Sequence, residues 1–168
     1  MCGILGWCNF KEKPSIEILR NLSKNIFLRG PDAYGEYDSE NMSMIHRRLS
    51  IIDLTEKSNQ PLKDPVTGNV IVFNGEIYNF KEIKNEILAQ KKNVNFTSLG
   101  DTEVILKAYQ EFGIEKLLEK LDGMFAFALW DDKKQKLFLV RDKFGEKPLF
   151  YASDNNNGVI FGSTYSVI

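Results

Sequence analysis

Met124-Phe125-Ala126-Phe127-Ala128-Leu129-Trp130, the polar Asp131-Asp132-Lys133-Lys134, then Lys136-Leu137-Phe138-Leu139-Val140-Arg141 read as two strands folded back on each other. A dense apolar run, a polar turn and an answering apolar run are the marks of a hairpin. Leu149 to Ala152 and Val159 to Phe161 form a second pair around Asp154-Asn155-Asn156-Asn157-Gly158. Toward the N-terminus, Asn69 to Phe73 is another strand, running into Asn74-Gly75-Glu76. Residues 3–9 make a short apolar strand, and further strands are expected around 34–38, 43–47 and 50–53.

Helices fall between these runs. Ser15 is a good N-cap with Glu17 in the first turn, and Ile16, Ile18, Leu19, Leu22, Ile26 and Phe27 recur at helical spacing. Arg29-Gly30-Pro31-Asp32 ends that helix, because Gly and Pro punctuate it. A second helix is expected near 79–90. A third, capped by Asp101 or Thr102, runs to about 112, and Gly113 separates it from a fourth at 114–121. Residues 54–68 hold two prolines and no apolar periodicity, and a loop that long without structure of its own is often functional. Strands in runs with helices between the runs favour α+β with antiparallel sheets over a doubly wound parallel fold.

The 168 residues fit a single domain, 1–168, and 43% hydrophobic with 27% charged content is that of a globular protein. With 22 basic and 23 acidic residues the net charge is −1, which argues against general attraction to nucleic acid or to an anionic membrane. No apolar run is long enough to span a bilayer, and no secretory signal opens the chain. Cys2 and Cys8 on one strand would share a face but lie too far apart to bridge, which suits reduced thiols in a cytoplasmic protein. A single histidine, His46, argues against a multi-histidine metal site, and none is expected.

Cysteine in the second position is chemically unusual. Once an initiator methionine is removed, Cys2 carries a thiol and a free α-amine, a nucleophile with its own base. Their ordinary pKa values, about 8.5 and about 7.7–8.0, both lie near neutrality. The plain alternative is that any small residue can follow the initiator. Asn74-Gly75 reads either as a type I′ turn or as an oxyanion hole built from the Asn74 amide and the Gly75 N–H. Alternation sends Arg47 and Arg48 to opposite faces, and the motif reads either as exposed charge on a strand end or as an arginine that clamps a substrate carboxylate in a bidentate fork. Asp101 reads as a helix cap or a first-turn charge, or as an acceptor for a substrate ammonium group. Arg141 to Leu149 reads as a charged, hydrogen-bonded turn rather than a catalytic one. A thiol with its own amine, a clamp, an acceptor and an oxyanion hole would together suit glutamine, asparagine or a small peptide.

Eight ordered stretches carry a resemblance. They are Met1-Cys2-Gly3-Ile4, Arg29-Gly30-Pro31-Asp32, Arg48-Leu49-Ser50-Ile51-Ile52-Asp53, Asn59-Gln60-Pro61-Leu62 and Phe73-Asn74-Gly75-Glu76-Ile77-Tyr78-Asn79. Gly100-Asp101-Thr102-Glu103, Asp122-Gly123-Met124-Phe125-Ala126-Phe127 and Arg141-Asp142-Lys143-Phe144-Gly145 follow. Over nearly its whole length the chain resembles the N-terminal glutaminase domain of asparagine synthetase-like class II glutamine amidotransferases, whose nucleophile is the N-terminal cysteine. The resemblance implies a four-layer αββα sandwich with two antiparallel sheets. It implies that Met1 is removed and that Cys2 attacks the glutamine amide, releasing ammonia and then glutamate. By motif, Arg48 holds the α-carboxylate, Asn74 and Gly75 form the oxyanion hole, and Asp101 holds the α-ammonium. Leu49, Ser50, Ile51, Ile52 and Glu76 line the glutamine pocket, and residues 59–62 resemble a mobile flap.

The resemblance further implies a synthetase domain, in cis or as a separate subunit, that consumes the ammonia with ATP and magnesium. No cofactor is expected in the present chain. The Ser-Gly-Gly phosphate loop of such a domain is not in these residues, as for an excised domain or a stand-alone subunit. Thr164 stands where relatives usually carry Glu, near the join to that domain. The other function class compatible with the sequence is a glutamine-binding regulatory or docking module without turnover.

Overall fold

The computed structural model describes residues 1–9, 13–91 and 94–168. Two antiparallel sheets form its centre. One has five strands: β1 (Gly3–Cys8), β2 (Ala33–Asp38), β3 (Met42–Arg48), β8 (Phe150–Ser153) and β9 (Val159–Gly162), in the order β2-β3-β1-β9-β8. The other has four: β4 (Leu62–Lys63), β5 (Val70–Ile77), β6 (Gly123–Asp131) and β7 (Lys136–Arg141), in chain order. The β6–β7 hairpin expected from sequence is present, with Ala126 opposite Arg141 and Asp131 opposite Lys136. So is the β8–β9 hairpin, with Phe150 opposite Gly162.

Alternation along the strands sorts side chains into three apolar layers. Ile4, Met42, Met44 and Phe161 of the first sheet meet Val70, Val72, Ala128 and Trp130 of the second in the central layer. Leu5, Trp7 and Ile45 face the other way, onto Leu19 of α1 (Ile16–Leu22) and Ile26 of the 3₁₀ turn that follows it. Ile71, Phe73, Phe127 and Leu129 face Ile83 and Ile87 of α2 (Phe80–Gln90) and Val104, Ile105 and Leu117 of α3 (Asp101–Lys120). Helices therefore cover both outer sheet faces, which makes the four-layer αββα sandwich.

Several elements differ from the sequence reading. Ser15 caps α1 by accepting the Glu17 N–H, but the α-helix stops at Leu22 and continues as 3₁₀ helix through Ser23–Arg29. Residues 50–53 are not a strand. The Asp53 carboxylate accepts the N–H groups of Thr55 (2.9 Å) and Leu99 (3.0 Å) and the Ser58 hydroxyl (2.7 Å), and these bonds replace a strand ladder. Those contacts, the Ser58 hydroxyl foremost, hold its pKa well below the usual carboxylate range. Residues 54–68 are not wholly irregular, since they contain the 3₁₀ turn Glu56–Ser58 and strand β4. Asn74-Gly75 is not a turn: β5 runs through both to Ile77. Neither Asp101 nor Thr102 caps α3. Gly100 is the N-cap and Asp101 the first helical residue; Gly113, as expected, is non-helical (φ 77°, ψ 175°) and separates two helices within Asp101–Lys120 at a kink.

Phe127 has no exposed surface and sits between the second sheet and its helices. Phe127→Ala is expected to lower unfolding stability by about 3–5 kcal/mol through cavity formation. A urea titration checks this, through a lower midpoint at unchanged slope.

Candidate active site

Strand pairing assembles the site from distant parts of the chain. Gly3 of β1 lies opposite Arg47 of β3, so Cys2 stands beside the end of β3. The Cys2 Sγ is 3.4 Å from the Leu49 N–H, which it accepts, and 3.6 Å from the Leu49 carbonyl, to which it donates. Burial pushes the Cys2 thiol pKa up. The Leu49 backbone bond, the chain's amino terminus and Arg48 pull against that rise.

The Arg29-Gly30-Pro31-Asp32 segment, for which the sequence suggested no role beyond ending a helix, braces this corner. Arg29 Nε donates to the Cys2 carbonyl at 3.0 Å. The Asp32 N–H donates to the Arg48 carbonyl at 3.0 Å, and the Asp32 carboxylate accepts the Ser50 N–H at 2.8 Å.

Of the two arginines, Arg47 is partly exposed and stacks on Tyr34, with 4.4 Å from its guanidinium carbon to the ring centre. Arg48 is buried. Its guanidinium donates to Thr55 O (2.9 Å), Asn59 Oδ1 (2.8 Å) and Asp53 O. Guanidinium has five N–H donors, so two remain beyond these three bonds. Arg48 thus pins the 53–59 segment and still has donors for an anion.

Asn74 and Gly75 lie on β5 opposite Ala126 and Phe125 of β6. Asn74 is 1% exposed, yet its Nδ2 has no hydrogen-bond partner among the described residues. A buried donor left unsatisfied costs about 1–3 kcal/mol, which a ligand oxygen there would recover. A Cβ at residue 75 would stand 2.2 Å from the Met124 carbonyl oxygen, so only glycine fits against β6.

Asp101 opens α3 and accepts the Ile77 N–H at 3.0 Å. Burial raises its carboxyl to a pKa of about 6, against the lowering effect of Ile77 and the helix N–H groups, and Glu76 raises it further. Among the described residues Asp101 has no salt-bridge partner.

One pocket is lined by Cys2, Arg48, Leu49, Ile51, Ile52, Asn74, Gly75, Glu76 and Asp101. Ser50 is not among its lining residues. Met1 and Lys147 also line it, and Lys147 Nζ lies 3.5 Å from the Met1 sulfur. Sequence reading missed Lys147. The charged turn is the hydrogen-bonded structure expected: Asp142 accepts the N–H groups of Phe125 (3.2 Å), Phe144 (3.1 Å), Glu146 (3.0 Å) and Lys147 (3.0 Å). The same turn delivers a buried ammonium to the pocket. Residues 59–62 are tied down at Asn59 by Arg48 and at Gln60 by Phe73 and Thr102. Among the described residues no group of three or more His, Cys, Asp or Glu could hold a metal ion, and no helix is long and apolar enough to cross a membrane.

Residues 1–168 match the family described as "Glutamine amidotransferase domain". "Asparagine synthetase [glutamine-hydrolyzing] 3" of Bacillus subtilis is 35% identical over 100% of this chain and 27% of its own length. "Asparagine synthetase [glutamine-hydrolyzing] 2" of the same organism is 40% identical over 97% of this chain and 21% of its own length. The chain thus spans about a quarter of the curated relatives it matches. A solved glutamine phosphoribosylpyrophosphate amidotransferase from B. subtilis, complexed with ADP and GMP, covers 99% of this chain with a TM-score of 0.79. This chain covers 42% of that one at 16% identity, a likeness of fold.

Asp101 also sets an expectation for stability. Its carboxyl binds a proton more tightly folded than unfolded, so stability from this group is present below 3.8 and lost as pH rises to about 6. Asp101→Asn removes that loss. Urea titrations between pH 4 and 7 should show the variant gaining on the parent as pH rises, by on the order of 2–3 kcal/mol at neutrality.

Proposed function

The chain belongs to the glutamine amidotransferase domain family, and from that premise we propose that Cys2, freed of Met1, hydrolyses L-glutamine to glutamate and ammonia. The observation that carries this reading is one pocket lined by the thiol, a buried arginine with donors to spare, a buried carboxyl of raised pKa and a buried amide N–H without a partner among the described residues.

In the proposed mechanism, Arg48 takes the α-carboxylate of glutamine while Asp101, with Glu76 beside it, takes the α-ammonium. Leu49, Ile51 and Ile52 wall the side chain. The Cys2 α-amine accepts the thiol proton, and the thiolate attacks the γ-amide carbon. The carbonyl π electrons move onto oxygen, where Asn74 Nδ2 and the Gly75 N–H stabilise them. The C–N bond then breaks, the protonated amine gives its proton to the nitrogen, and ammonia leaves a glutamyl thioester. Water, deprotonated by the amine, adds to the thioester. Its collapse returns the thiolate and releases glutamate.

The whole protein is proposed to pass this ammonia to an asparagine synthetase-like amidation, in the cytoplasm. The synthetase domain, in cis or as a subunit, would hold ATP and magnesium, and no step above passes through either.

Cys2→Ala should abolish glutamate release while leaving the thermal melt unchanged. Persistent turnover would defeat the mechanism, whereas glutamine binding by the parent without turnover would favour a regulatory module. Asn74→Ala should lower kcat by about 10²–10³-fold with a small change in KM. Protonation of Asp101 removes the ammonium's partner, so kcat/KM for glutamine should fall as pH drops below about 6. A pH profile of glutamate release checks that limb, which Asp101→Asn should lack.

A further inference from the structure

We propose that His46 and Gln60 are positioning residues for the oxyanion hole, holding the Phe73 peptide so that Asn74 and Gly75 meet Cys2 across the gap between the sheets. The proposal rests on the glutamine-hydrolysing reading above.

Strand β4 pairs with β5 over two residues only, Leu62 with Ile71 and Lys63 with Val70. Two further steps of that register bring Gln60 opposite Phe73, where the next ladder pair would form. The Gln60 side chain takes the ladder's place: its Oε1 accepts the Phe73 N–H at 2.6 Å. The Phe73 carbonyl is met from the other sheet, with His46 Nε2 3.1 Å away. A carbonyl can only accept, so Nε2 carries the proton. Burial holds the His46 pKa down at about 4, which keeps the ring neutral, and Nδ1 has no partner among the described residues.

Both polar groups of the residue before Asn74 are thus held by buried side chains. Their other attachments lead to the rest of the site. His46 lies two residues before Arg48 on β3. Gln60 Nε2 donates to Thr102 Oγ1 at 3.1 Å, and Thr102 follows Asp101. Gly35 of β2 faces His46, and a Cβ there would stand 2.1 Å from the Gln60 carbonyl oxygen. The missing side chain lets Gln60 lie against β2. Apolar packing between the sheets is not directional. An oxyanion hole has to be placed within about 0.5 Å. The bonds to Phe73 supply a direction that the apolar layer cannot.

The test uses the processed protein lacking Met1, assayed for glutamate release. His46→Leu and Gln60→Met should each lower kcat about 10–100-fold with KM within about threefold, the scale of a misplacement near 1 Å. His46→Gln keeps a donor near the Nε2 position and should restore kcat to within about fivefold of the parent, as one retained bond requires. In an Asn74→Ala background, His46→Leu should cost clearly less than in the parent, because one of the two groups it positions is gone and only the Gly75 N–H remains. A full multiplicative loss in that background, an unaffected kcat in His46→Leu, or a His46→Gln variant as slow as His46→Leu would each overturn the assignment. If His46→Leu fails to fold, Gln60→Met, at the end of the truncated ladder, carries the same cycle with the same outcomes. A parent without glutaminase activity would instead defeat the underlying function.

Discussion

Ile4, Met44 and Phe161 on one sheet close against Val70, Val72 and Trp130 on the other, and this seam decides where every polar group of the pocket can stand. Cys2 and Arg48 belong to the first sheet, at the start of β1 and the end of β3. Asn74 and Gly75 belong to the second, on β5. Neither half is a site alone. The apolar layer is close-packed, so its closure fixes the spacing of the sheets. Arg29 and Asp32 brace the first half, and Asp101 accepts the Ile77 N–H beside the second.

Three costs gather at that junction. Asn74 carries a buried N–H without a partner among the described residues, Asp101 a carboxyl whose ionisation burial opposes, and Cys2 a thiol whose pKa burial raises. A polar ligand bearing an oxygen, an ammonium and a carboxylate offsets the first two and engages the spare donors of Arg48. Removal of Met1 gives the third a base on its own Cα. Local instability of this kind is typical of groups tuned for chemistry, whereas β1, β3 and β5, which carry the site, are buried along most of their length.

The hairpins and the antiparallel class were legible because period-two patterning and turn residues lie close together in sequence. The strand expected at 50–53 failed because Asp53 bonds to Leu99, a partner 46 residues away that no local pattern reveals. Asn74-Gly75 could be read as a turn until pairing with Ala126 and Phe125 showed β5 passing straight through. The thiol, the arginine, the amide and Asp101 were legible as residue types suited to one ligand. Lys147 was hidden because its burial depends on how Asp142 folds the turn. His46 and Gln60 were hidden because their connection to Phe73 exists only once register and sheet packing are both known.

The central claim is that Cys2 forms a covalent bond to the side-chain carbonyl carbon (Cδ) of glutamine. The direct measurement is acid quenching of the processed protein during turnover, followed by mass analysis of its N-terminal peptide. The account predicts a mass increase of one glutamyl group on the peptide that begins at Cys2, removed by neutral hydroxylamine. Steady glutamate production without any such adduct, under conditions that slow thioester hydrolysis, would contradict it.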